Sequence, residues 1–231
     1  MKNKILALAG AFTAATIAGT AMAGNMEAPA PDPVPVAPVA DWTGYYWGFV
    51  VGAGNGDYLQ KSASGDGVNV NVDGALFGMR MIRHIQNGSR VYGYDAELSS
   101  GPDGITPQGT SGPFWSCNTG ACNASIEALL TLRGRYGALI GSDTLAYGAA
   151  GIAAASINGG IFNSAQQGSS EEVGFTVGLG VEHSMKNDWN VFGELNYVDL
   201  GDIRFGTGVG TEPFKGAGDF TTLKVGFMRR F

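Results

Sequence analysis

The sequence predicts an all-β fold, an eight-stranded antiparallel transmembrane β-barrel of the up-and-down type. Three observations predict it. Apolar and polar side chains alternate along eight segments, the connections between segments are long and short in turn, and the last segment continues to the terminal residue, Phe231. A membrane barrel gives every strand one lipid-facing side and pairs every strand on both sides, so alternation and a sheet without an edge are expected together.

The amino-terminal segment predicts export. Lys2 and Lys4 precede an apolar stretch, and Ala21-Met22-Ala23 supplies the small-x-small pattern of a secretory cleavage site. We therefore interpret residues 1–23 as a signal peptide. The alternative, an uncleaved membrane anchor, is disfavoured because the stretch lacks the roughly 20 strongly apolar residues of a spanning helix. Residues 24–41 hold five of the nine prolines and are interpreted as an extended periplasmic leader, with a ligand for a proline-recognising domain as the alternative. Residues 42–231 form the predicted barrel domain.

The composition argues against several classes of ligand. The formal net charge is −6, and no basic stripe is present, so nucleic acid is not an expected partner. Glycine supplies 38 of 231 residues, against an average of about 7%, without a Gly-x-y period. The glycine strings lack dinucleotide-binding spacing, and two cysteines with two distant histidines make no metal-ligand set. Neither a cofactor nor a metal is expected.

The eight predicted strands are defined by alternation and by the turns between them. Short turns are predicted at Asn87-Gly88, at Gly141-Ser142-Asp143 and at Asn187-Asp188, and these belong on the periplasmic side together with both termini. In the second strand, Met79 and Ile82 with the nearby Arg80 and Arg83 do not sort onto an apolar and a charged face, which predicts a bulge. The predicted strands are Trp42 to Gly54, Val68 to about His84, Val91 to Ser99, Ser125 to Ala138, Leu145 to about Ile157, about Val173 to Glu182, Trp189 to Leu200 and about Phe220 to Phe231.

Charged side chains on the polar face of the strands are predicted to point into the lumen. An eight-stranded barrel has an interior just wide enough for side chains, and unpaired charges there would be costly. We therefore predict a network of ion pairs that plugs the barrel, with a gated, narrow path for ions or solutes as the alternative. The predicted network consists of Asp95, Glu97, Glu127, Arg133, Arg135, Glu182, Glu194, Lys224 and Arg230.

No catalytic residue is predicted. His84 and His183 are the two histidines, and both lie beside short turns at the periplasmic end. Ser184 directly follows His183, so the two side chains point to opposite faces of a strand and cannot act together as base and nucleophile.

Cysteines and terminal aromatics predict two further features. Cys117 and Cys122 share the long loop of residues 100–123, and an exported chain meets oxidants, so one disulfide within this loop is expected. Phe231, Trp42 and Trp189 are predicted to form an aromatic girdle at the periplasmic interface.

Four segments resemble the small outer-membrane β-barrel proteins of alphaproteobacteria, the opacity or outer-membrane immunogenic, porin-like family. They are Asp41-Trp42-Thr43-Gly44-Tyr45-Tyr46, Leu132-Arg133-Gly134-Arg135-Tyr136-Gly137, Tyr147-Gly148-Ala149-Ala150-Gly151-Ile152-Ala153 and Asn196-Tyr197-Val198-Asp199-Leu200-Gly201. The resemblance covers about residues 41 to 231.

The resemblance implies a surface protein of the Gram-negative outer membrane, in contact with lipid and lipopolysaccharide. It also implies that Phe231 serves as an insertion signal for the barrel-assembly machinery. The family's activities are diverse, so the resemblance indicates a location and not a mechanism. The expected function is a structural role in envelope integrity. A small diffusion channel is the second expectation, and adhesion to a host or phage receptor through the extracellular loops is the third.

Overall fold

The computed structural model describes residues 40–61, 67–106, 121–161, 167–185, 187–205 and 214–231, and these residues form antiparallel β-structure. No helix in this part of the chain has the length and apolarity needed to cross a membrane. The strands are β1 Gly44–Lys61, β2 Gly67–Asn87, β3 Arg90–Ser99, β4 Asp103–Thr106, β5 Cys122–Ile140, β6 Thr144–Ile161, β7 Gln167–Ser184, β8 Trp189–Phe205 and β9 Phe214–Arg230.

The strands close into a barrel with eight positions. Each long strand pairs with its neighbours along the chain, and β9 pairs with β1 from Tyr46 opposite Arg230 to Lys61 opposite Lys215. The short β4 is not a ninth position, because it follows β3 end to end and pairs with the same neighbours, β2 and β5. Pro102, which has no N–H to donate to a ladder, lies where β3 gives way to β4. The predicted eight-stranded barrel is confirmed.

The short turns lie at one end of the barrel, where the chain also ends. Gly88 and Gly141 adopt φ of +58° and +75°, and Asn187 and Asp188 both adopt φ of +63°. Asn and Asp tolerate this left-handed region better than other residues that carry a Cβ. Asn87 pairs with Arg90, so the first turn consists of residues 88 and 89, one position later than predicted.

The strands are longer than the alternation predicted, mainly at the end away from the short turns. The eight-position barrel uses strands of up to 21 residues, as in β2, whereas about 9–11 residues are enough to cross a bilayer. Large apolar side chains cover the outside of the barrel nearer the short turns, as lipid-facing residues do in transmembrane barrels. Examples on the outer face are Phe49, Phe77, Leu98, Leu132, Leu179 and Phe227. The strands therefore continue beyond this apolar belt.

The register departs from the prediction in β2 and β5. The pairing of β2 with β1 and with β3 shows no shift in register, so the predicted bulge in β2 was wrong. Arg80 and Ile82 both point inward, because the interior holds apolar as well as charged side chains. The ladder shifts instead between Ile126 and Ala128 of β5, and again between Asp199 and Asp202 of β8. A bulge reverses the face to which the following residues point.

Candidate functional site in the barrel interior

Arg80 lies at the centre of a charged layer inside the barrel. Its side chain comes from the middle of β2 and is 1% exposed. On the adjacent β3, Glu97 accepts from Arg80 Nε at 2.7 Å and also from Nη2. Across the interior on β8, Glu194 accepts from Nη1 at 3.1 Å and from Nη2 at 2.6 Å. The Phe192 ring centroid lies 4.4 Å from the guanidinium carbon. Arg80 thus connects β2 to β8, which β1 and β9 separate in the sheet.

Glu194 collects hydrogen bonds from four side chains. Besides Arg80, Arg133 on β5 donates from Nη1 at 2.9 Å, Tyr147 on β6 donates from Oη at 2.7 Å, and Asn196 donates from Nδ2 at 2.8 Å. Three of these donors stand on strands that are not neighbours of β8. The carboxylate therefore holds opposite walls of the barrel together.

Arg133 and Arg135 extend the charged layer toward the short turns. Arg133 Nε donates to Asp95 Oδ1 at 2.9 Å, and its Nη1 donates to Asn196 Oδ1 at 2.5 Å. Arg135 Nη2 donates to Glu182 Oε2 at 3.3 Å, and its guanidinium carbon lies 3.8 Å from the Tyr147 ring centroid. Each of the two arginines therefore holds a carboxylate, and both are buried.

His84 and Lys224 complete the layer. Arg135 Nη1 lies 3.1 Å from His84 Nε2, and this ring nitrogen is 3.8 Å from Glu182 Oε2. Asn190 Nδ2 donates to the other Glu182 oxygen at 2.8 Å. Lys224 on β9 forms an ion pair with Glu97, to which its ammonium donates.

The charges within this layer balance. Four cationic side chains face four carboxylates, and all of them are buried. The cations are Arg80, Arg133, Arg135 and Lys224, and the carboxylates are Asp95, Glu97, Glu182 and Glu194. Buried charges are tolerated when they are paired and hydrogen-bonded. The arrangement therefore fills the interior without leaving a net charge in it.

Seven of the nine predicted lumen residues meet in this layer, and two do not. The structure places Glu127 on the exposed outer face, where it accepts from Asn158, because the bulge at this position reverses the parity of β5. Arg230 lies at the short-turn end, where its guanidinium reaches the Asp41 carboxylate at 3.2 Å. The prediction was wrong for Glu127, whereas Arg230 keeps the inward parity of Lys224 on β9 but forms its ion pair at the rim, outside the layer.

Asp41 receives a second stabilising contact at this rim. The Thr43 N–H donates to its carboxylate at 2.9 Å. Together with the nearby Arg230, this hydrogen bond lowers the pKa of the Asp41 carboxyl below its usual value.

Sequence reasoning missed Arg80 and His84 as members of the layer. Both point inward at alternate positions of β2, in register with Glu97 and Gly93 of β3. Unbroken alternation from Arg80 would have found both residues, but the predicted bulge hid them.

Trp42 is not part of an aromatic girdle. It is 1% exposed and packs inside the short-turn end against Val91, Leu145 and Tyr147, with its ring centroid 6.0 Å from that of His84. Trp42 precedes β1, so strand alternation does not govern the direction of its side chain.

Phe231 and Trp189 do lie on the outside. The Phe231 ring stands 6.0 Å from that of Tyr45, and Phe231 is 69% exposed. Arg229 lies over the ring of Trp189, with its guanidinium carbon 5.9 Å from the centroid. These aromatic groups form the outer rim next to the short turns.

An apolar cluster fills the interior on the long-loop side of the charged layer. It draws on most of the barrel strands, and a cavity of about 20 Å³ lies against it, room for about one water molecule. The cluster consists of Val70, Val72, Cys122, Ala124, Ile126, Leu129, Ala153, Ala155, Ile157, Ile161, Val198, Leu200, Ile203 and Phe220. The charged layer therefore lies between this cluster and the Trp42 cluster at the opposite end.

The cysteines and the exposed histidine lie outside the charged layer. Cys122 begins β5 and is buried, whereas Cys117 lies outside the described residues, so their disulfide stays a prediction. His183 is exposed at a short turn, with its Nδ1 3.0 Å from Thr144 Oγ1. Among the described residues, no three His, Cys, Asp or Glu side chains are arranged to hold a metal ion.

Comparison with known proteins agrees with this architecture. A family model described as the outer membrane protein beta-barrel domain matches residues 5–231. The 31 kDa outer-membrane immunogenic protein of Brucella melitensis is 27% identical over 253 residues, covering 100% of both chains. The 22 kDa outer membrane protein of Rhizobium leguminosarum bv. viciae is 26% identical over 198 residues, covering 85% of this chain and 82% of its own.

A solved structure shows the same fold. The outer membrane protein AlkL, determined by solid-state NMR in DMPC bilayers, superposes with a TM-score of 0.50 at 12% identity. The match covers 87% of this chain and 96% of AlkL. At this identity the likeness concerns the fold alone.

Proposed function

We propose that this chain, which belongs to the family of outer membrane proteins with a β-barrel domain, has a structural role as a sealed, surface-exposed barrel that supports envelope integrity. Its relatives are outer-membrane proteins of Gram-negative bacteria, and it resides in the same membrane. Their names describe outer membrane proteins and no enzymes, which supports a role without catalysis.

The observation that carries the proposal is the set of bonds on Glu194. Arg80 and Arg133 reach this carboxylate from two other walls of the barrel. An ion crossing the interior would have to separate these buried pairs, and breaking one buried pair costs about 3–5 kcal/mol. It would then meet the apolar cluster, which offers no polar partner to a dehydrated ion. This arrangement supports a structural barrel over a diffusion channel.

A deletion strain tests the structural role. Without the protein, the outer membrane should admit more of a large hydrophilic antibiotic and should become more sensitive to detergent. The wild-type gene should restore both barriers. Unchanged permeability and detergent resistance in the deletion strain would contradict the role in envelope integrity.

A second function, recognition of an extracellular partner, is favoured by the surplus length of the strands. β2 and β5 have 21 and 19 residues, about twice what a crossing requires. The part beyond the belt contains the apolar cluster, which stabilises it as a rigid support for the loops. The word immunogenic in the name of the Brucella melitensis relative supports exposure of this part at the surface.

Intact cells can test recognition. Cells that express the wild-type chain should bind host cells or phage more strongly than cells that express a variant with shortened extracellular loops and equal surface abundance. Equal binding by the two strains would remove this second function.

A further inference from the structure

The outer face of the barrel carries a groove on the side formed by β3, β5, β6, β7 and β8. Its volume is about 1080 Å³, just above the roughly 300–1,000 Å³ of small-molecule sites. Its floor consists of small outward residues, Gly134, Gly148 and Ala150. A Cβ atom built on Gly134 or Gly148 would meet no heavy atom closer than 3.9 or 3.7 Å. The groove is therefore open space at the level of the apolar belt.

Large side chains form both walls of the groove. In one row of the sheet, Tyr94 pairs with Gly134, which pairs with Ala150, and this pairs with Val177. In the next row toward the short turns, Tyr136 stands beside Gly148, and Leu179 stands on its other side. A flexible, apolar and elongated ligand fits such a trough.

Arg90 stands where the groove meets the short-turn rim. It precedes Tyr92 by two residues on the same outward face of β3, and Tyr92 lines the groove. Its guanidinium carbon lies 5.9 Å from the ring centroid of Tyr136. Arg90 is exposed and forms no ion pair with another described residue. A cation that has no anionic partner among the described residues thus lies at the end of an apolar trough, beside the short turns.

We infer that this groove binds one anionic phospholipid of the periplasmic leaflet, with an acyl chain along Gly148 and Ala150 and the phosphate at Arg90. A chain leaving bulk lipid gains no hydrophobic free energy, so occupancy rests on packing and on the headgroup. A guanidinium donates charge-assisted hydrogen bonds to phosphate. The position of Arg90 at the short-turn rim selects the periplasmic leaflet, because short turns face the periplasm.

Native mass spectrometry of the purified, delipidated barrel in detergent tests the inference. The probes are phosphatidylglycerol and phosphatidylcholine with identical acyl chains. We expect one phosphatidylglycerol to be retained in preference to phosphatidylcholine. Arg90→Gln should raise the Kd for phosphatidylglycerol about tenfold and so lower the retained fraction, as loss of a hydrogen bond to a charged group implies. Arg229→Gln is the matched control, because Arg229 also lies 5.9 Å from an aromatic centroid but outside the groove.

A second pair of variants tests the groove itself. Gly148→Leu places a side chain in the open trough and should also lower retention, whereas Ala53→Leu adds the same bulk to the outer face of β1 and should not. Folding of each variant is checked by its change in gel mobility on boiling. Equal retention of both lipids, or no effect of Arg90→Gln and Gly148→Leu, would overturn the inference. A dimer that Gly148→Leu abolishes and Arg90→Gln leaves intact would overturn it in favour of a second copy.

Discussion

Glu194 accepts two hydrogen bonds from the guanidinium of Arg80 across the barrel interior, at 3.1 Å from Nη1 and 2.6 Å from Nη2. The two residues stand on β8 and β2, which are separated by β9 and β1. Ion pairs between adjacent strands add to a contact that the sheet already makes. A pair across the interior instead holds the walls of the barrel at a fixed distance, and it occupies the space through which a solute would pass.

Glu194→Gln should therefore be strongly destabilising. The variant leaves Arg80 and Arg133 buried with one carboxylate fewer, which costs about 3–5 kcal/mol in the free energy of unfolding. Denaturant titration of the barrel in lipid vesicles measures this change. Glu127→Gln is the matched control, because alternation also predicted Glu127 in the lumen, but the structure exposes it; its effect should stay within about 0.5 kcal/mol. Equal effects of the two substitutions would contradict the network.

The contrast between Glu194 and Glu127 also shows how far the sequence predicts the interior. In β7, β8 and β9 the outward residues are large and apolar, so Glu182, Glu194 and Lys224 could be assigned by counting in twos. Around Glu127 the chain reads Ala124, Ser125, Ile126, and both faces there are small or mixed. Alternation carries no signal in such a stretch, and a bulge within it is invisible.

The mixed composition of the interior explains the other wrong predictions about side-chain direction and strand length. Counting in twos assumes a polar lumen, yet Ile82 points inward beside Arg80, and the apolar cluster fills the long-loop half. Inward apolar side chains obscure the alternation of apolar and polar residues. For this reason neither the inward position of Arg80 nor the true length of the strands was predicted. Trp42 lies before β1 and could not be placed by any strand periodicity. The strand count, by contrast, rests on turns and connection lengths, which the interior does not affect.

Removal of two arginines should open the interior. Arg133→Ala with Arg135→Ala deletes side-chain volume and leaves Asp95, Glu182 and Glu194 with fewer cations. Carboxylates that line a narrow path favour cations, so the double variant should be less stable than wild type and should conduct cations only weakly in a planar bilayer, because the apolar cluster still fills the long-loop half.

The matched control for this experiment replaces Arg83 and Arg90 by alanine, because both point outward and their loss should open nothing. Wild type at the same salt should show little or no steady conductance. Large, long-lived openings of the wild-type barrel would rule out the sealed interior and favour the channel.

Deletion of Phe231 should impair assembly. Its amide donates to the Tyr45 carbonyl at 3.1 Å, and its ring lies against that of Tyr45 on the outer rim. Secretion should continue, but less of the chain should reach the folded form whose gel mobility changes on boiling. Phe227→Ala is the control, since Phe227 is exposed on the same strand but does not end the chain. Undiminished assembly of the deletion variant would contradict a role of Phe231 as an insertion signal.

Cys117 and Cys122 should form a disulfide in the exported protein. Thiol labelling of the denatured, unreduced chain should detect no free thiol, and detection of two would end the prediction. The ring is short, so the chain-entropy model gives it about 2 kcal/mol at most. Cys117→Ser is the suitable variant for measuring that value, because Cys122 is buried in the apolar cluster, where a hydroxyl would add its own cost.

Asp219→Asn should stabilise the barrel at low salt. On the outer face beyond the belt, Asp219 of β9 stands directly opposite Asp57 of β1 and opposite Asp199 of β8. Like charges in register across strands repel, and relief of one such pair is worth about 0.5 kcal/mol. Since salt screens exposed charges, the gain in the free energy of unfolding should shrink as salt is added. Asp202→Asn is the control, because Asp202 stands opposite the uncharged Ala217 of β9, so this pair of strands places no like charge in register with it. A gain of equal size in both variants, or one that salt leaves unchanged, would show that repulsion along this row is not the cause.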